Sequence, residues 1–546
     1  MTTSKDKELK QWILTIASYL NKGDAPPAQY YAAFIQEPEL AKALVDFIDS
    51  LDEDEPDAKH SYYSASVFAL DVYVSQIQIA IEAGNKLAEK TLHQLMSNLA
   101  HTISNSKHSL SFWLPILNAF YEVHIELSPE LRNAYLDLLD EEEPYSPEEE
   151  GEKLNSIREL IHELSDLSTF DIAENFFAQS YAMPPEFFID LIIDLYSIEE
   201  GHDIALLALL HPNAEVRTQV VATLDMLMSQ ITLSSISLTR LKAIKAWYPA
   251  FLQDKFNHWI KTQRKKGVVF VSKTQTPKLK IQASEVDGGG AQGLFVHINI
   301  RRKNRLCSVL FKQDIGIKDA WITPSLPAAD VKRYYDDSFN DNITLREVDL
   351  PYLQIIANHF LALTLEHGDM PDLHLLEIQE ELGISFIPEK IDVEEVMNQL
   401  SILVHPFTPD SIQGAFTRSK NWAKTKSFTE SWYLENSMID KLVNRCCSFL
   451  NGTKICRTNE AMALVFSEVM EKNRAQWLFH FLWIALWAKA HARKNEKIWQ
   501  DSFLIAHAIQ SGTPLNSIPI MQDICEQSVI NSVETMQERR THLNQE

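Results

Sequence analysis

The stretch Leu294-Phe-Val-His-Ile-Asn-Ile300, Arg301-Arg302-Lys303-Asn304 and Arg305-Leu-Cys-Ser-Val-Leu-Phe-Lys-Gln313 decides how the chain is read. Its residues are β-branched or aromatic at short spacing, whereas on either side apolar positions recur at three and four. Two strands joined as a hairpin across Arg301–Asn304 are expected here. Two further short runs, Gly267-Val-Val-Phe-Val-Ser272 and Lys278-Leu-Lys-Ile-Gln-Ala-Ser284, are bounded by turn chemistry at Thr276-Pro277 and Asp287-Gly-Gly-Gly290. A small antiparallel sheet of roughly three to five strands, ending near Thr323-Pro324, follows from these runs.

The same stretch carries the chain's charge contrast. Residues 255–320 hold fourteen Lys and Arg against four acids, a net +10 in a chain of formal charge −25, so everything else sums to −35. Its two densest clusters are the candidate binding residues: Arg264, Lys265 and Lys266, then Arg301, Arg302, Lys303 and Arg305. Clustered cations suit phosphate backbones, so nucleic acid is one candidate partner. No helix-turn-helix, zinc-finger or RNA-recognition signature supports it, and the overall charge repels nucleic acid at long range. The expected role of the island is docking, onto acidic surface of the same chain or of a partner protein, with Arg301–Arg305 facing outward at a hairpin tip. Phe270, Phe295, Phe311 and Trp321 lie among the cations, and period-two spacing assigns most of them to the core.

Outward from the island the pattern is helical. Residues 1–265 contain amphipathic segments such as Ser64–Ala83, Lys86–Ser104 and Ser111–Glu126, and helical patterning resumes at Ala328. Ala461–Glu471, Ala475–Arg493 and Ile498–Gln510 show it most clearly, and Trp477–Trp487 is apolar nearly all round, as a buried central helix would be. Two acidic stretches, Leu51–Asp57 and Asp140–Glu152, contain proline without apolar periodicity and read as loops. The expected divisions are a helical region at 1–265, a basic β-rich module at 266–326 and a helical domain at 327–546. Fifteen glycines, where average usage gives roughly 38, fit a mainly helical chain.

One segment has repeat-like logic. In Leu206-Leu-Ala-Leu-Leu210-His-Pro212-Asn213-Ala-Glu-Val216-Arg217, a leucine-rich helix ends, Pro212 forbids its continuation and Asn213 is placed to cap a second helix. Val216, Val220, Leu224 and Leu227 then form one apolar stripe. This resembles a HEAT repeat, with an echo at Ser128–Leu139. The resemblance implies an α-solenoid-like N-terminal region and a structural Arg217 that bonds a neighbouring repeat. It also implies a protein-binding surface along the array. Val286–Gly293 with Leu310–Trp321 resembles a segment of bacterial HEAT-like proteins to which no activity is attached.

No reaction is written in the motifs. A phosphate cradle needs a helix after its glycines, but the residues following Gly288, Gly289, Gly290 and Gly293 read as a strand, so a tight β-turn is expected. Glu285 and Asp287 alternate on one strand face, and a divergent enzyme with its site near this Gly-rich turn is the alternative they leave open. Cys446, Cys447 and Cys456 lack the spacing of a zinc site, and His359, His367 and His374 that of a helical ligand pair. No cofactor, metal or catalytic residue is therefore expected. Five cysteines, irregularly spaced, indicate a reducing compartment rather than a disulfide framework. The charged N-terminus reads as an amphipathic helix, and the apolar run Trp477–Ala488, interrupted by His480, falls short of the ~20 residues of a membrane span. The expectation is a cytoplasmic, mainly α-helical protein that acts without catalysis as an interaction or scaffold protein.

Overall fold

An amphipathic helix must bury its apolar stripe against a neighbour, and the N-terminal helices do so among themselves. The computed structural model describes residues 4–22, 26, 39–51, 60–82, 85–121, 123, 125–140, 147–180, 185–271, 276–301, 303–338, 345–404, 408–420, 422, 432–450, 453–490 and 497–543. Two compact units form, Met1–Ser234 and Ser235–Glu546. The expected boundaries at 265 and 326 both lie inside the second.

In the first unit, α1 (Ser4–Leu20), α2 (Glu39–Asp49), α3 (His60–Glu82), α4 (Lys86–Ile103), α5 (Leu110–Tyr121) and α6 (Pro129–Asp140) share one core, from Leu9 and Ile13 through Leu70 and Leu99 to Trp113 and Leu131. Within α3, Tyr62–Ile81 is long and apolar enough, by length and composition, to cross a membrane. Ala65, Ala69, Leu70, Tyr73, Val74 and Ile77 on that helix are buried in this core. Then come α7 (Pro147–Glu163), α8 (Thr169–Ser180), α9 (Pro185–Ser197), α10 (His202–Leu207) and α11 (Ala214–Leu227). Residues 147–152, expected as loop, open α7 instead: proline suits the first helical turn and the glutamates after it suit the positive end of the helix dipole. Residues 52–57 and 141–146 of the two acidic stretches lie outside the described residues.

The turn before α11 follows its sequence logic. The Asn213 side chain accepts the Glu215 and Val216 N–H groups at 2.8 and 3.3 Å, and Val216, Val220 and Leu224 are buried. Arg217 donates to the carbonyls of His211 and Pro212 at 2.7 and 2.6 Å, so its guanidinium closes the turn preceding its own helix.

The second unit is built on a five-stranded antiparallel sheet in the order β4-β3-β2-β1-β5. Its strands are β1 (Lys278–Ser284), β2 (Ala291–Ile300), β3 (Lys303–Lys312), β4 (Gly316–Ile322) and β5 (Leu345–Glu347). Gly267–Val271, expected as a strand, is not one. Phe270 lies between Lys242 and Arg264, 5.1 and 5.2 Å from their charges, and the Val271 N–H donates to Thr239 at 2.9 Å. Cation–ring and side-chain contacts thus replace a β-ladder there. Ser272 is outside the described residues.

Register decides which side chains face the helices. Phe311 pairs with Gln292, Val309 with Leu294, Cys307 with Val296 and Arg305 with Ile298, so these eight residues share one face. Over it lie α15 (Leu350–Glu366), α16 (His374–Leu382) and α21 (Arg474–Ala490), beyond α12 (Ser235–Lys245), α13 (Ala250–Lys265) and α14 (Ala328–Ser338) in chain order. Phe311 stacks on Phe360 of α15 with ring centres 5.1 Å apart. Phe295 and Trp321, expected largely in the core, occupy the opposite face and are only half-buried. Gly316, at φ +103°, lets the β3–β4 turn approach α15, and the Thr364 hydroxyl accepts the Ile317 N–H at 2.8 Å.

A buried polar knot joins sheet and helices. Gln292 of β2 accepts from the Tyr352 hydroxyl of α15 at 2.6 Å and from the Trp483 indole of α21 at 3.2 Å. Its amide N–H donates to the Ser284 carbonyl of β1 at 2.8 Å, and the indole also donates to the Tyr352 oxygen at 3.1 Å. Each member is thereby satisfied away from water.

The helices continue with α17 (Val393–Val404), α18 (Pro409–Ser419), α19 (Ser437–Arg445), α20 (Thr458–Val465), α22 (Ile498–Gln510) and α23 (Pro519–Leu543). Between α19 and α20 lies a hairpin of β6 (Cys447–Leu450) and β7 (Thr453–Cys456), in which Cys447 and Cys456 stand opposite each other and form a disulfide. The expectation of cysteines without a disulfide is corrected here: antiparallel pairing brings together two residues that spacing alone does not connect. Cys307, Cys446 and Cys525 are free and buried.

Two predictions follow from buried polar groups. Tyr352→Phe leaves Gln292 and Trp483 still paired, costing about 0.5–1.5 kcal/mol, whereas Gln292→Leu strands the Ser284 carbonyl and costs about 1–3 kcal/mol. Urea unfolding of the two variants checks that order. Burial lowers the pKa of His211 to about 3 and of His359 to about 4, against 6.5 for the free side chain. Between those values the unfolded chain binds more protons, so stability is full above pH 6.5 and declines as pH falls toward 4. A thermal-unfolding series from neutral to acid pH should record that decline, with a shallower slope for His359→Gln.

Candidate functional site

The seven sequence-predicted cations do not form one site. Arg264, Lys265 and Lys266 close the C-terminal end of α13, exposed, with Arg264 drawn toward Phe270. Arg301 and Lys303 are exposed at the β2–β3 turn, and Arg302 lies outside the described residues. Arg305 does not face outward. It has the same parity as Cys307, Val309 and Phe311 and so points to the helix-covered face. There its guanidinium bonds Glu377 at 2.7 Å and the Thr323 carbonyl at 2.6 Å, and lies 3.4 Å from Glu381. Arg240 of α12, buried, forks onto Glu380 of α16, the helix that also carries Glu377 and Glu381, at 2.8 and 3.2 Å. The acidic helix α16 thus takes one arginine from the sheet and another from α12.

The Gly-rich turn leads to a different place. Gly288 approaches the backbone of Trp432 and Tyr433 so closely that a Cβ would sit 2.6 Å from the Tyr433 nitrogen. Gly290 adopts φ +75°, a left-handed turn, and its carbonyl accepts the Gln313 N–H at 2.9 Å. The Asp287 carboxylate accepts the Ala291 N–H at 2.9 Å and so fixes the turn from within. Between this turn, the β3–β4 turn at Lys312–Asp314, the segment Tyr433–Asn436 and the start of α21 lies a cleft of about 370 Å³.

Each wall has a local cause. Asn436 caps α19, its side chain accepting the Met438 N–H at 2.8 Å, so Tyr433–Asn436 stay outside that helix and line the rim. A π-helical turn at Phe466–Met470 adds a residue per turn after α20 and sets Val469 at the cleft. The Gln313 amide donates to the Gln476 carbonyl at 2.8 Å, fixing the strand turn to the first turn of α21. Inside stand Trp477 and, at 2% exposure, His480.

His480 is the anomaly. Its ring meets Trp432 edge-on at 5.7 Å and lies 5.3 Å from Trp477. Its Nε2 has no hydrogen-bond partner among the described residues. Burial lowers its pKa to about 3, so the ring is neutral at physiological pH. Burial also raises the Asp287 pKa, against the backbone N–H groups and Lys312 that lower it. The Tyr433 hydroxyl is pushed up by burial first, then by the Glu435 and Asp287 charges.

Sequence reasoning singled out the Gly-rich turn and expected only a tight turn, which it is. It assigned Trp477–Trp487 to the core, which also holds. What it missed is that the two meet; the one signal was a lone histidine interrupting an apolar helix.

Residues 394–533 match the family model described as the Y4lR C-terminal helical domain, and residues 184–267 match the Y4lR second domain. Over 297 residues the chain is 23% identical to "Uncharacterized protein y4lR" of Sinorhizobium fredii, covering 52% of this chain and 53% of that protein. The match spans about half the length of that relative. No solved structure matches. The likeness is thus to a bacterial family, through two separate domains. Tyr433, Glu435, Trp477 and His480 fall within the matched C-terminal domain, whereas Asp287–Gly289 and Lys312 lie outside both matched stretches.

The two kinds of arginine separate experimentally. Arg305→Ala leaves Glu377, 6% exposed, without its guanidinium, and should cost on the order of 2–3 kcal/mol. Arg301, exposed at φ +50°, should tolerate glycine with no loss and a gain of about 1 kcal/mol, because glycine enters the left-handed region freely. Urea midpoints of the two variants check both signs.

Proposed function

We propose that the second unit binds a small polar molecule in the cleft between the Gly-rich turn and α21. One observation carries this reading: a helix buried for its apolar character places a histidine, His480, in the lining of the cleft, and the ring's Nε2 makes no hydrogen bond among the described residues. A buried ring nitrogen left unbonded costs about 1–3 kcal/mol, and phenylalanine would fill the same space without that cost. The cleft volume of about 370 Å³ suits a molecule of metabolite size. Polar groups at the rim and an aromatic wall inside match the usual composition of such sites. No step of catalysis is part of this reading. For the first unit we propose the interaction role that a HEAT-like array implies, supported by the capped helical pair at residues 202–227.

The test separates stability from binding. His480→Phe removes the unsatisfied nitrogen and keeps a ring, so the melting temperature should rise or hold. The same variant should lose the ligands that the wild-type chain binds in saturation-transfer NMR against a panel of amines, amino acids, carboxylates, phosphates and sugars. A variant destabilised like an ordinary core deletion, or one that binds like wild type, would count against the proposal.

A further inference from the structure

The strands β6 and β7 form a two-stranded sheet of their own, and each is four residues long. A lone hairpin of that size is marginal in water, so the Cys447–Cys456 bond is what keeps it closed. That bond differs from the other cysteines. Cys447 and Cys456 are half-buried, beside exposed Ser448 and Arg457, whereas Cys307, Cys446 and Cys525 are buried. A disulfide within reach of solvent belongs to the labile kind, open to exchange with small thiols. Its partners are nine positions apart, and a bond that closes so short a loop constrains the unfolded chain least. Such a bond can open without unfolding its unit.

The helices on either side stay anchored when it opens. Ile439, Leu442 and Val443 of α19 and Ala461 and Val465 of α20 are buried, and both helices pack against α23. The Ser532 hydroxyl of α23 also donates to the Asp440 carboxylate of α19 at 2.6 Å. The same two helices lead to two walls of the cleft. Tyr433–Asn436 at the rim run directly into α19, and α20 runs directly into the π-helical turn that carries Val469. At the base of the hairpin the Arg457 N–H donates to the Cys446 carbonyl at 3.0 Å, so the disulfide joins the end of α19 to the start of α20.

We infer that Cys447–Cys456 is a redox clasp on the cleft walls. Oxidised, it holds the α19–α20 junction; reduced, the hairpin frays and both walls loosen while the unit stays folded. The bond forms when the two thiols pass two electrons to a small disulfide, RSSR, which leaves as two RSH carrying the two protons. It opens by the reverse exchange, two RSH becoming RSSR. The clasp needs no ligand in the cleft, so it stands or falls apart from the binding reading.

The experiment equilibrates the full chain in mixtures of reduced and oxidised glutathione, traps its thiols with N-ethylmaleimide and counts them by mass. Amide exchange is then followed in the oxidised and the reduced form. Cys447 and Cys456 should convert as a pair within the glutathione range, with Cys307, Cys446 and Cys525 remaining thiols throughout. Reduction should speed exchange roughly tenfold at Tyr433–Asn436 and Phe466–Met470, leaving the five-stranded sheet unchanged and thermal unfolding cooperative. Cys447→Ser and Cys456→Ser should show the reduced pattern in either buffer, and Cys446→Ala should switch like wild type. The reduced wild-type chain makes the same comparison without a substitution. A bond that fails to form in oxidised glutathione, or to open in reduced, overturns the clasp. So does equal exchange at both walls in the two forms. Global unfolding of the reduced wild-type chain overturns it as well, because the bond is then a structural staple.

Discussion

One buried side-chain amide fixes the second unit. Gln292 bonds β1 through Ser284, α15 through Tyr352 and α21 through Trp483, at 1% exposure. Because every member of that knot is satisfied only in one arrangement, it specifies how sheet and helices meet as well as adding stability. Apolar contacts alone, such as Phe311 on Phe360, permit sliding. A three-way hydrogen-bond junction does not. The cleft depends on this, since α21 carries both Trp483 and, three residues earlier, His480. Whatever fixes Trp483 against the sheet also fixes the turn of helix that opens onto the Gly-rich loop.

The glycines then act at the other end of the same strand. β2 begins at Ala291, directly after Gly288–Gly290, so the knot at Gln292 sits two residues beyond a turn that must touch the Trp432–Tyr433 backbone. A side chain at residue 288 would clash with that backbone and force it to shift. Gly288 is therefore a close-approach glycine and Gly290 a left-handed one. Neither forms a phosphate cradle, because a strand and not a helix follows them.

Much of this was legible in the residues. Strand periodicity located β1, β2 and β3 within three residues, and helical spacing located the resumption of helix at Ala328 and the extent of Ile498–Gln510, because alternation and 3.6-residue spacing are local properties; β4 was not singled out as a strand. Parity could also have turned Arg305 inward, since it shares a strand face with Cys307, Val309 and Phe311. Charge alone pointed it outward, and charge says nothing about which face of a strand a residue occupies. Gly267–Val271 failed for a different reason. β-branched composition describes a half-buried extended segment, and cations from two helices around Phe270 serve that segment as well as a neighbouring strand does. The disulfide and the cleft were illegible because each joins segments whose sequence separation carries no period.

The charge contrast of the chain resolves in two ways. On α16 the acids are matched: Glu380 takes Arg240, and Glu377 with Glu381 takes Arg305, so part of the basic island is spent within its own unit. At the cleft the Asp287 carboxylate is answered by the Lys312 charge and by backbone N–H groups, and Glu435 is exposed. Internal salt bridges are closed circuits that explain why a cation and an anion persist together. The +10 island drew the eye to an anion-binding surface, but Arg305, which strand parity turns inward, answers acids of its own unit.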